Sequence, residues 1–204
     1  IEMNESNYKN YQAFKDWSSE NFGHLGIEDE IYFQKQLFDV GIKNIKNKRI
    51  LEIGFGNGAF ASWCKKNNCE YFGTELIPEL VNAGKSKGLN VFSTNIKADE
   101  IVQKSSLDFV IAFDVFEHLS KDEIDYKLQE CFKILKSNGL LVARVPSGDS
   151  PFSSSIQNGD FTHKIALGSS MIKQFAKTNG FKIKTIQSPA MPLTGLGIKS
   201  MIRR

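Results

Sequence analysis

From residue 48 onward, short apolar runs of strand length alternate with longer segments in which apolar residues recur at helical spacing. Six runs predict strands: RILEIG, EYFGTEL, LNVFST, LDFVIAF, LLVARVP and FKIKTIQ. Because strands that alternate with helices form parallel sheets covered on both faces, the pattern predicts an α/β fold. Ligands of such sheets bind outside the carboxyl ends of the strands, so functional residues are expected there.

The segments between the strands carry residues that start and stop helices. Predicted helices cover residues 58–67, 78–88, 120–138 and 169–179. Pro78 suits the first turn of its helix, where the N–H that it lacks would find no partner. Ser120 and Glu123 have the spacing of a capping box, which predicts a helix start at Ser120. That helix is predicted to end at Asn138 and Gly139, a pair typical of helix termini.

Residues 1–46 precede the alternating pattern and are predicted to form a separate N-terminal segment, ahead of a main domain at 47–204. The segment is rich in aromatic side chains. Phe33, Leu37 and Val40 recur at helical spacing, which predicts one or two helices before the first strand. We expect this segment to act as a helical lid over the main domain.

Composition and charge narrow the class of protein. The chain has 204 residues, of which 41% are hydrophobic and 24% charged, as expected for a globular domain with a full core. The net charge of +3, with scattered basic residues, gives no basic stripe, so no nucleic-acid partner is expected. Three cysteines without metal-like spacing favour a reduced, cytoplasmic protein. We expect neither a secretory leader nor a membrane span, since no apolar run approaches about 18 residues.

The C-terminal stretch GIKSMIRR alternates apolar and basic residues. This pattern suits either a final strand of the sheet or the start of an interfacial helix. In the second case the protein would make peripheral contact with the inner face of a membrane, near lipid-linked glycans. Both alternatives are open on the sequence alone.

The stretch ILEIGFGNGAF places Gly54, Gly56 and Gly58 where the first strand should meet the first helix. Without side chains, the backbone there can approach a nucleotide-like ligand closely. Two such ligands compete, a dinucleotide and S-adenosylmethionine. The spacing G-x-G-x-G departs from the G-x-G-x-x-G of dinucleotide sites, and the carboxylate of Glu52 would repel a pyrophosphate. Glu52 suits a ligand that carries an ammonium and a sulfonium, which favours S-adenosylmethionine over the cofactor of a nucleotide-dependent oxidoreductase.

A second carboxylate, Glu75, ends the second predicted strand, 17 residues beyond Gly58. A carboxylate at this position can accept hydrogen bonds from both ribose hydroxyls of a nucleoside. Taken alone, Glu75 could be a turn residue before Pro78. Together with Glu52 and the glycines, it favours a role in holding the cofactor.

The motifs LEIGFGNG, GTEL, FDVFEHL and LKSNGLLVARVP follow in order, and the chain resembles the class I S-adenosylmethionine-dependent methyltransferases over residues 48–190. The resemblance implies an enzyme that uses S-adenosylmethionine, with a Rossmann-like, seven-stranded, mostly parallel sheet covered by helices on both faces. It implies these cofactor roles by position: Glu52 near the methionine amino group, Gly54, Phe55, Gly56 and Gly58 beneath it, Glu75 and Leu76 at the ribose, Asn95 near the adenine, and Asp114 and Val115 at the methionine end. Asn95 departs from the family, in which many members hold an acidic residue.

An alcohol acceptor must lose its proton during methyl transfer, so a base with a pKa near neutrality is expected. The chain has three histidines. His24 is interpreted as a surface residue, whereas His118 either faces the cofactor or closes the loop after the fourth strand. His163 lies in a long loop at residues 147–164, and such loops are commonly functional. We predict that His163 is the catalytic base or an acceptor contact, with His118 and Glu117 as further catalytic candidates.

The stretches GDFTH and EHL are similar to those of a subset of these enzymes associated with sugar and surface-glycan pathways. The likeness implies O-methylation of a hydroxyl, or of a phosphate-type oxygen, on a sugar or on another small, glycan-linked acceptor. The leading prediction assigns no metal ligand. Its alternative from another class is a non-catalytic module that binds S-adenosylmethionine.

Asp114, Glu117 and His118 form the pattern D-x-x-E-H, with His163 downstream. The pattern resembles the acidic and histidine cluster by which small-RNA 2′-O-methyltransferases and some quinone-pathway O-methyltransferases hold a divalent ion. Those families carry Glu at the position of Asp114. A bound Mg²⁺ could lower the pKa of the acceptor hydroxyl. Metal-assisted methylation of RNA or of a quinone-type small molecule is therefore a further alternative.

Overall fold

The computed structural model describes residues 15, 17, 18 and 20–187 of the chain. Their strands are β1 (Arg49–Ile53), β2 (Glu70–Glu75), β3 (Asn90–Ser93), β4 (Leu107–Phe113) and β5 (Leu135–Arg144). These five strands form one sheet in the order β3-β2-β1-β4-β5. Every pairing is parallel, so the carboxyl ends of all the strands share one edge of the sheet.

Helices fill the connections between the strands. They are α1 (Ile27–Asp39), α2 (Ala59–Lys66), α3 (Pro78–Ser86), α4 (Ala98–Ile101), α5 (Lys121–Ile134), α6 (Ser154–Gly159) and α7 (Ser169–Thr178), with a 3₁₀ turn at Phe116–His118. Because β4 lies beside β1 rather than beside β3, the strand order reverses between β1 and β4. Ligand sites of open α/β sheets lie at such a reversal, outside the carboxyl ends of the strands.

Apolar side chains cover both faces of the sheet. On one face, α1 and α2 contribute Phe33 and Phe60 to a buried cluster. On the other face, α5 contributes Leu128 to a second cluster. Alternate residues of β1 serve opposite faces, Ile50 in the first cluster and Leu51 in the second. This arrangement confirms the predicted α/β fold with a parallel sheet.

The expectation of seven strands is wrong for the described residues, which form five. The run at 181–187, predicted as a sixth strand, forms none. Its alternation of apolar residues with Lys182 and Lys184 has the period of a strand, but a strand also needs a neighbour with which its N–H and C=O groups can pair. Within the described residues, β5 is the edge of the sheet, and residues 181–187 are mostly exposed.

The start of α5 is confirmed, but its predicted end is wrong. The Ser120 amide donates to Glu123 Oε2 over 2.7 Å, and the Glu123 amide donates to Ser120 Oγ over 3.4 Å, as a capping box requires. The helix ends at Ile134, and β5 begins at once. A methyl group at Gly139 would lie 2.9 Å from the Leu107 carbonyl oxygen. Gly139 therefore permits close approach of two strands and does not terminate the helix.

The helix predicted from Phe33, Leu37 and Val40 is α1, which ends just before Val40. The Phe33 ring packs against Phe60 and Trp63 of α2, at centroid distances of 5.1 and 5.8 Å. This contact fixes α1 on the main domain.

Two predictions concern residues for which the structure gives no account. Most of the predicted lid before residue 20 and the whole C-terminal stretch GIKSMIRR lie outside the described residues. None of the described helices has the length and apolar character needed to cross a bilayer.

Candidate active site

The carboxyl ends of β1, β2 and β4 carry most of the predicted site residues. The loop after β1 holds the glycines, β2 ends at Glu75, and the loop after β4 runs from Asp114 to His118. β1 lies between β2 and β4, so the three loops are neighbours in space. The sheet topology thus brings together residues that are far apart in the sequence.

Glu52 is a buried carboxyl in the middle of the sheet. The Tyr71 hydroxyl, on neighbouring β2, donates to Glu52 Oε2 over 2.6 Å. Burial raises the pKa of Glu52 to about 8, an effect that the Tyr71 hydrogen bond opposes and the charge of Glu75 increases. A cation beside Glu52 would favour its ionised form. The partner Tyr71 was not predicted, although it lies within the predicted strand EYFGTEL.

Glu75 is bound to the glycine loop. Its Oε2 accepts the Gly56 amide over 2.9 Å, and its Oε1 accepts the amides of Leu76 and Ile77 over 2.7 and 3.1 Å. Burial raises the pKa of Glu75 even though these three N–H groups favour the carboxylate. The Gly54 amide donates to the Thr74 carbonyl over 2.8 Å, so the ends of β1 and β2 are held together.

All three glycines are required by their surroundings. Gly54, Gly56 and Gly58 have φ values of +70°, +53° and +76°, in the left-handed region, and each lacks room for a side chain. A methyl group at Gly54 would lie 2.7 Å from Val115 Cγ2, and one at Gly56 would lie 2.9 Å from Trp17 Cη2. The absence of side chains at these two positions therefore lets Val115 and Trp17 pack directly against the loop. The Gly54 contact also brings Val115 from the loop after β4 to the loop after β1.

The remaining predicted cofactor residues occupy three different environments. Phe55 is buried, with its ring edge-on to Phe22 at 6.0 Å, so it supports the loop from the core side. Leu76 is half-buried and donates its amide to Glu75. Asn95 is exposed in the turn after β3, and its amide lies 3.4 Å from Ser93 Oγ.

Asp114 forms an ion pair that the sequence did not predict. Its φ is +55°, and its Oδ1 accepts a 2.9 Å hydrogen bond from Arg144 Nε at the end of β5. The Arg144 guanidinium lies 5.1 Å from the ring centroids of both Tyr32 and Phe113. Arg144 thereby joins α1 to the ends of β4 and β5. The available signal was a single charged residue at the end of the apolar run LLVARVP.

Glu117, His118 and His163 meet on the other side of the loop after β4. One ligand atom of each lies within 4.8 Å of the others. The two imidazole rings are in edge-to-face contact, with centroids 4.7 Å apart. Asp114 is not part of this cluster. His24 is exposed, as expected, and lies elsewhere in the chain's N-terminal turn.

Hydrogen bonds orient both imidazoles. The carbonyl oxygen of Gln157 lies 3.0 Å from His163 Nδ1 and can only accept, so Nδ1 carries the proton and Nε2 the lone pair. The Thr162 hydroxyl donates to Asp160 Oδ1 over 2.5 Å, and therefore accepts from His118 Nδ1 over 2.9 Å. Burial and the neighbouring His163 lower the pKa of His118.

Sequence reasoning missed Gln157, Asp160 and Thr162 as partners of the two histidines. Asp160 and Thr162 stand just before His163 in GDFTH, but the hydrogen bond between Thr162 and His118 depends on how the loop folds back. The loop is attached to the 3₁₀ turn at Glu117, whose carbonyl oxygen accepts the Lys164 amide over 2.8 Å.

The Glu117 side chain is 1% exposed, and neither of its carboxyl oxygens has a hydrogen-bond partner among the described residues. Burial, followed by the charges of Asp114 and Asp160, raises its pKa to about 8. Burying a carboxyl without a hydrogen-bond partner destabilises a fold. The position of Glu117 therefore points to a ligand that binds at the cluster.

A family model described as a methyltransferase domain matches residues 32–185. No protein of curated function matches the sequence.

Several solved structures share the fold. A methyltransferase from Archaeoglobus fulgidus that depends on S-adenosylmethionine gives a TM-score of 0.65 at 22% identity, over 86% of this chain and 74% of its own. A mycolic acid cyclopropane synthase complexed with S-adenosylhomocysteine gives 0.60 at 15% identity, over 78% and 62%. Phosphoethanolamine N-methyltransferase 2 of Haemonchus contortus, also with S-adenosylhomocysteine, gives 0.54 at 19% identity, over 76% and 37%. At these identities the likeness shows a common fold.

Proposed function

Because the chain belongs to the family of methyltransferase domains and is an enzyme that uses S-adenosylmethionine, we propose that it methylates a hydroxyl, or a phosphate-type oxygen, of a sugar or glycan-linked acceptor. The observation that carries the proposal is the contact between His118, His163 and Glu117 beside the end of β4. The structural neighbours bear the names of enzymes with different acceptors, so the acceptor must be argued from the site and not from the fold.

The residues at the ends of β1 and β2 fit the cofactor. The positive φ angles of Gly54 and Gly56 turn the loop between the ends of β1 and β2, where the cofactor would lie. Glu52 would hold the amino group, since a cation removes the cost of ionising a buried carboxyl. Glu75 would accept the ribose hydroxyls with the lone pairs that the loop amides leave. The bound cofactor supplies an electrophilic methyl group on a sulfonium.

His163 is oriented to act as the general base. With the proton on Nδ1, the lone pair of Nε2 can take the proton of the acceptor hydroxyl as its oxygen attacks the methyl group. Asp160 Oδ2 lies 3.9 Å from Nε2 and would stabilise the imidazolium that forms. His118, held by Thr162, lies edge-on to His163 and fixes the plane of its ring.

The loop that carries His163 supports a carbohydrate acceptor. It exposes the rings of Phe152 and Phe161, which are 88% and 72% accessible. Exposed aromatic rings on a loop beside a base can pack against the apolar face of a sugar ring. The similarity of GDFTH and EHL to enzymes of surface-glycan pathways agrees with this assignment.

The experiment is a screen of sugar nucleotides, sugar phosphates and oligosaccharides with S-adenosylmethionine, read by mass spectrometry as a gain of one methylene. The proposal expects a methylated carbohydrate with the native chain and none with His163→Asn. Methylation of amines alone, with the native chain, would contradict it. His24→Asn is the matched control, because His24 is exposed and outside the cluster.

A second candidate is a metal-assisted O-methyltransferase, favoured by the unpaired carboxyl oxygens of Glu117 between two imidazoles. Two neutral imidazole nitrogens and one carboxylate suit a transition-metal ion such as Mn²⁺ or Zn²⁺ better than Mg²⁺. Such an ion would be held by His118, His163 and Glu117, and would lower the pKa of the acceptor hydroxyl. His163 would then be a ligand and not the base.

The effect of a metal chelator on turnover distinguishes catalysis by His163 as the base from metal-assisted catalysis. Turnover that is unchanged by chelator removes the metal-assisted candidate, whereas loss of turnover that Mn²⁺ or Zn²⁺ restores supports it. A readout independent of turnover is the melting temperature. Added metal should stabilise the native chain and not Glu117→Gln, because a ligand that binds the folded state stabilises it.

A further inference from the structure

Cys64 and Cys69 lie on either side of the turn that ends α2. The Cys69 amide donates to the Cys64 carbonyl oxygen over 3.0 Å, and the Asn68 amide donates to the Lys65 carbonyl oxygen over 3.1 Å. Asn68 has a φ of +54°, in the left-handed region. These two hydrogen bonds around a left-handed residue form a Schellman motif, in which the side chains of the first and sixth residues commonly pack together. Here those two residues are the cysteines.

The two thiols interact directly. A hydrogen bond with the Cys64 thiol lowers the pKa of Cys69, an effect that burial opposes and the Lys48 amide increases. Burial, followed by the same hydrogen bond, raises the pKa of Cys64. The Cys69 thiol in turn donates to the Ile45 carbonyl oxygen over 3.0 Å. Cys69 is therefore the sulfur of the pair that ionises more readily.

The three cysteines differ in their access to solvent. Cys69 is partly exposed, whereas Cys64 is fully buried in the cluster against which Cys69 packs. Cys131 is buried in the cluster on the other face of the sheet, and burial raises its pKa to about 12. Because the thiolate is the reactive form of cysteine, a dissolved oxidant should react first at Cys69 and should leave Cys131 unchanged.

We propose that Cys64 and Cys69 form a modification site, at which a peroxide converts the two thiols into a reversible disulfide. The Cys69 thiolate attacks one peroxide oxygen and the O–O bond breaks, so that Cys69 becomes a sulfenic acid and the other oxygen takes up a proton and leaves as water. The Cys64 sulfur then attacks the Cys69 sulfur, and its proton leaves with the hydroxyl group as a second water. Two electrons pass from the sulfurs to the peroxide. A thiol reductant restores both thiols by exchange.

Peptide mass spectrometry of the full chain tests the site. The chain is treated with hydrogen peroxide, its remaining thiols are blocked with iodoacetamide under denaturing conditions, and it is digested with trypsin. Trypsin cleaves after Lys65 and Lys66, so Cys64 and Cys69 fall on different peptides that only a disulfide joins. The proposal expects the joined pair after peroxide and its disappearance after dithiothreitol, with Cys131 recovered in the blocked form.

Two variants distinguish the roles of the cysteines. Cys131→Ala should give the same joined peptides as the native chain. Cys64→Ala should give none, and its Cys69 sulfenic acid should be trapped by dimedone. Oxidation of Cys69 to a sulfinic acid in the native chain, without joined peptides, would overturn the proposal. A disulfide from Cys69 to Cys131 in place of Cys64 would also overturn it.

The melting temperature gives a second, independent test. A disulfide between Cys64 and Cys69 would join the end of α2 to the residue before β2, which the Schellman motif already holds together. The bond should therefore restrict the unfolded chain more than the folded one, and the peroxide-treated chain should melt at a higher temperature than the reduced chain. Cys69→Ser should melt at the same temperature before and after peroxide. A lower melting temperature of the disulfide form would show that the fold must distort to make the bond, and would overturn the proposal.

Discussion

The hydroxyl of Tyr71 donates a 2.6 Å hydrogen bond to the carboxyl of Glu52, and both groups are buried in the sheet. Burial raises the pKa of Glu52 to about 8, although this hydrogen bond opposes the shift. The cofactor-free site therefore holds a protonated acid at neutral pH. A cationic ligand can convert that acid to a carboxylate.

The first prediction concerns this conversion. At pH 7 the binding of S-adenosylhomocysteine should release a proton, because Glu52 is protonated below its pKa of about 8 and ionised beside the ligand's ammonium group. Calorimetry in buffers of different ionisation enthalpy measures the proton count. Glu52→Gln should release none at this site and should bind roughly tenfold to a hundredfold more weakly, the loss of a hydrogen bond to a charged group.

The control for Glu52 is Glu70→Gln at the exposed start of β2, where the carboxyl pairs with Arg49. Its affinity for the ligand should equal that of the native chain. If Glu52→Gln also bound with native affinity, Glu52 would not hold the amino group.

The second prediction concerns the pH dependence of stability. Glu117 has an ordinary pKa of 4.5, raised to about 8 in the fold, so the folded chain retains a proton that the unfolded chain loses. Stability from this group is complete below pH 4.5 and is lost as the pH rises toward 8. In Glu117→Gln no carboxyl ionises at this position, so this loss of stability with rising pH does not occur. Its melting temperature relative to the native chain should rise steadily from pH 5 to pH 9, with chelator present.

Glu123 provides a control of opposite sign. Partial burial opposes its ionisation, but hydrogen bonds from Ser120 and the nearby Lys164 lower its pKa overall. Glu123→Gln should therefore lose stability relative to the native chain above the ordinary pKa of a carboxyl. A flat pH profile for Glu117→Gln would show that Glu117 is ionised in the folded chain.

The third prediction concerns the base. His163→Asn should lower kcat by about 10²- to 10⁴-fold, the usual contribution of a positioned general base. The Kd for S-adenosylhomocysteine should not change, because His163 belongs to the acceptor side of the site. A variant with native kcat would remove His163 from the mechanism.

The fourth prediction separates backbone strain from lack of space. Gly54 and Gly88 have similar φ values, +70° and +73°, but a methyl group meets Val115 at 2.7 Å in the first case and nothing within 4 Å in the second. Gly88→Ala should cost about 1 kcal/mol of unfolding free energy, for the left-handed backbone alone. Gly54→Ala should cost about 1–3 kcal/mol more, for overpacking. Denaturant unfolding measures both, and equal costs would show that Val115 yields without penalty.

The sequence predicts β1 to β4 well because their signal is local, whereas the strand predicted at 181–187 is absent. LDFVIAF is a buried run wherever it folds, and β4 covers those seven residues. The end of α5 could not be predicted in this way. Asn138 and Gly139 have the composition of a helix terminus, but Gly139 is needed where the chain passes the Leu107 carbonyl. That need arises from a strand pairing, which is a tertiary contact.

In the candidate site, too, some features have a local signal in the sequence and others arise from tertiary contacts. Glu52 and Glu75 stand out in the sequence because each is a carboxylate within, or at the end of, an otherwise mostly apolar run. The hydrogen bond from Gly56 to Glu75 and the ion pair of Arg144 with Asp114 could not be predicted, because each joins the ends of different strands. The contact between His118 and His163 likewise depends on a loop that folds back to Glu117.

The chemical identity of the methylated atom tests the proposed O-methylation most directly. The chain is supplied with S-adenosylmethionine labelled with ¹³C in its methyl group and with the carbohydrate that the screen selects, and the product is examined by NMR. The account predicts a methyl signal with the chemical shift of an O-methyl group, which His163→Asn fails to produce. A signal of an N-methyl or C-methyl group would contradict the account.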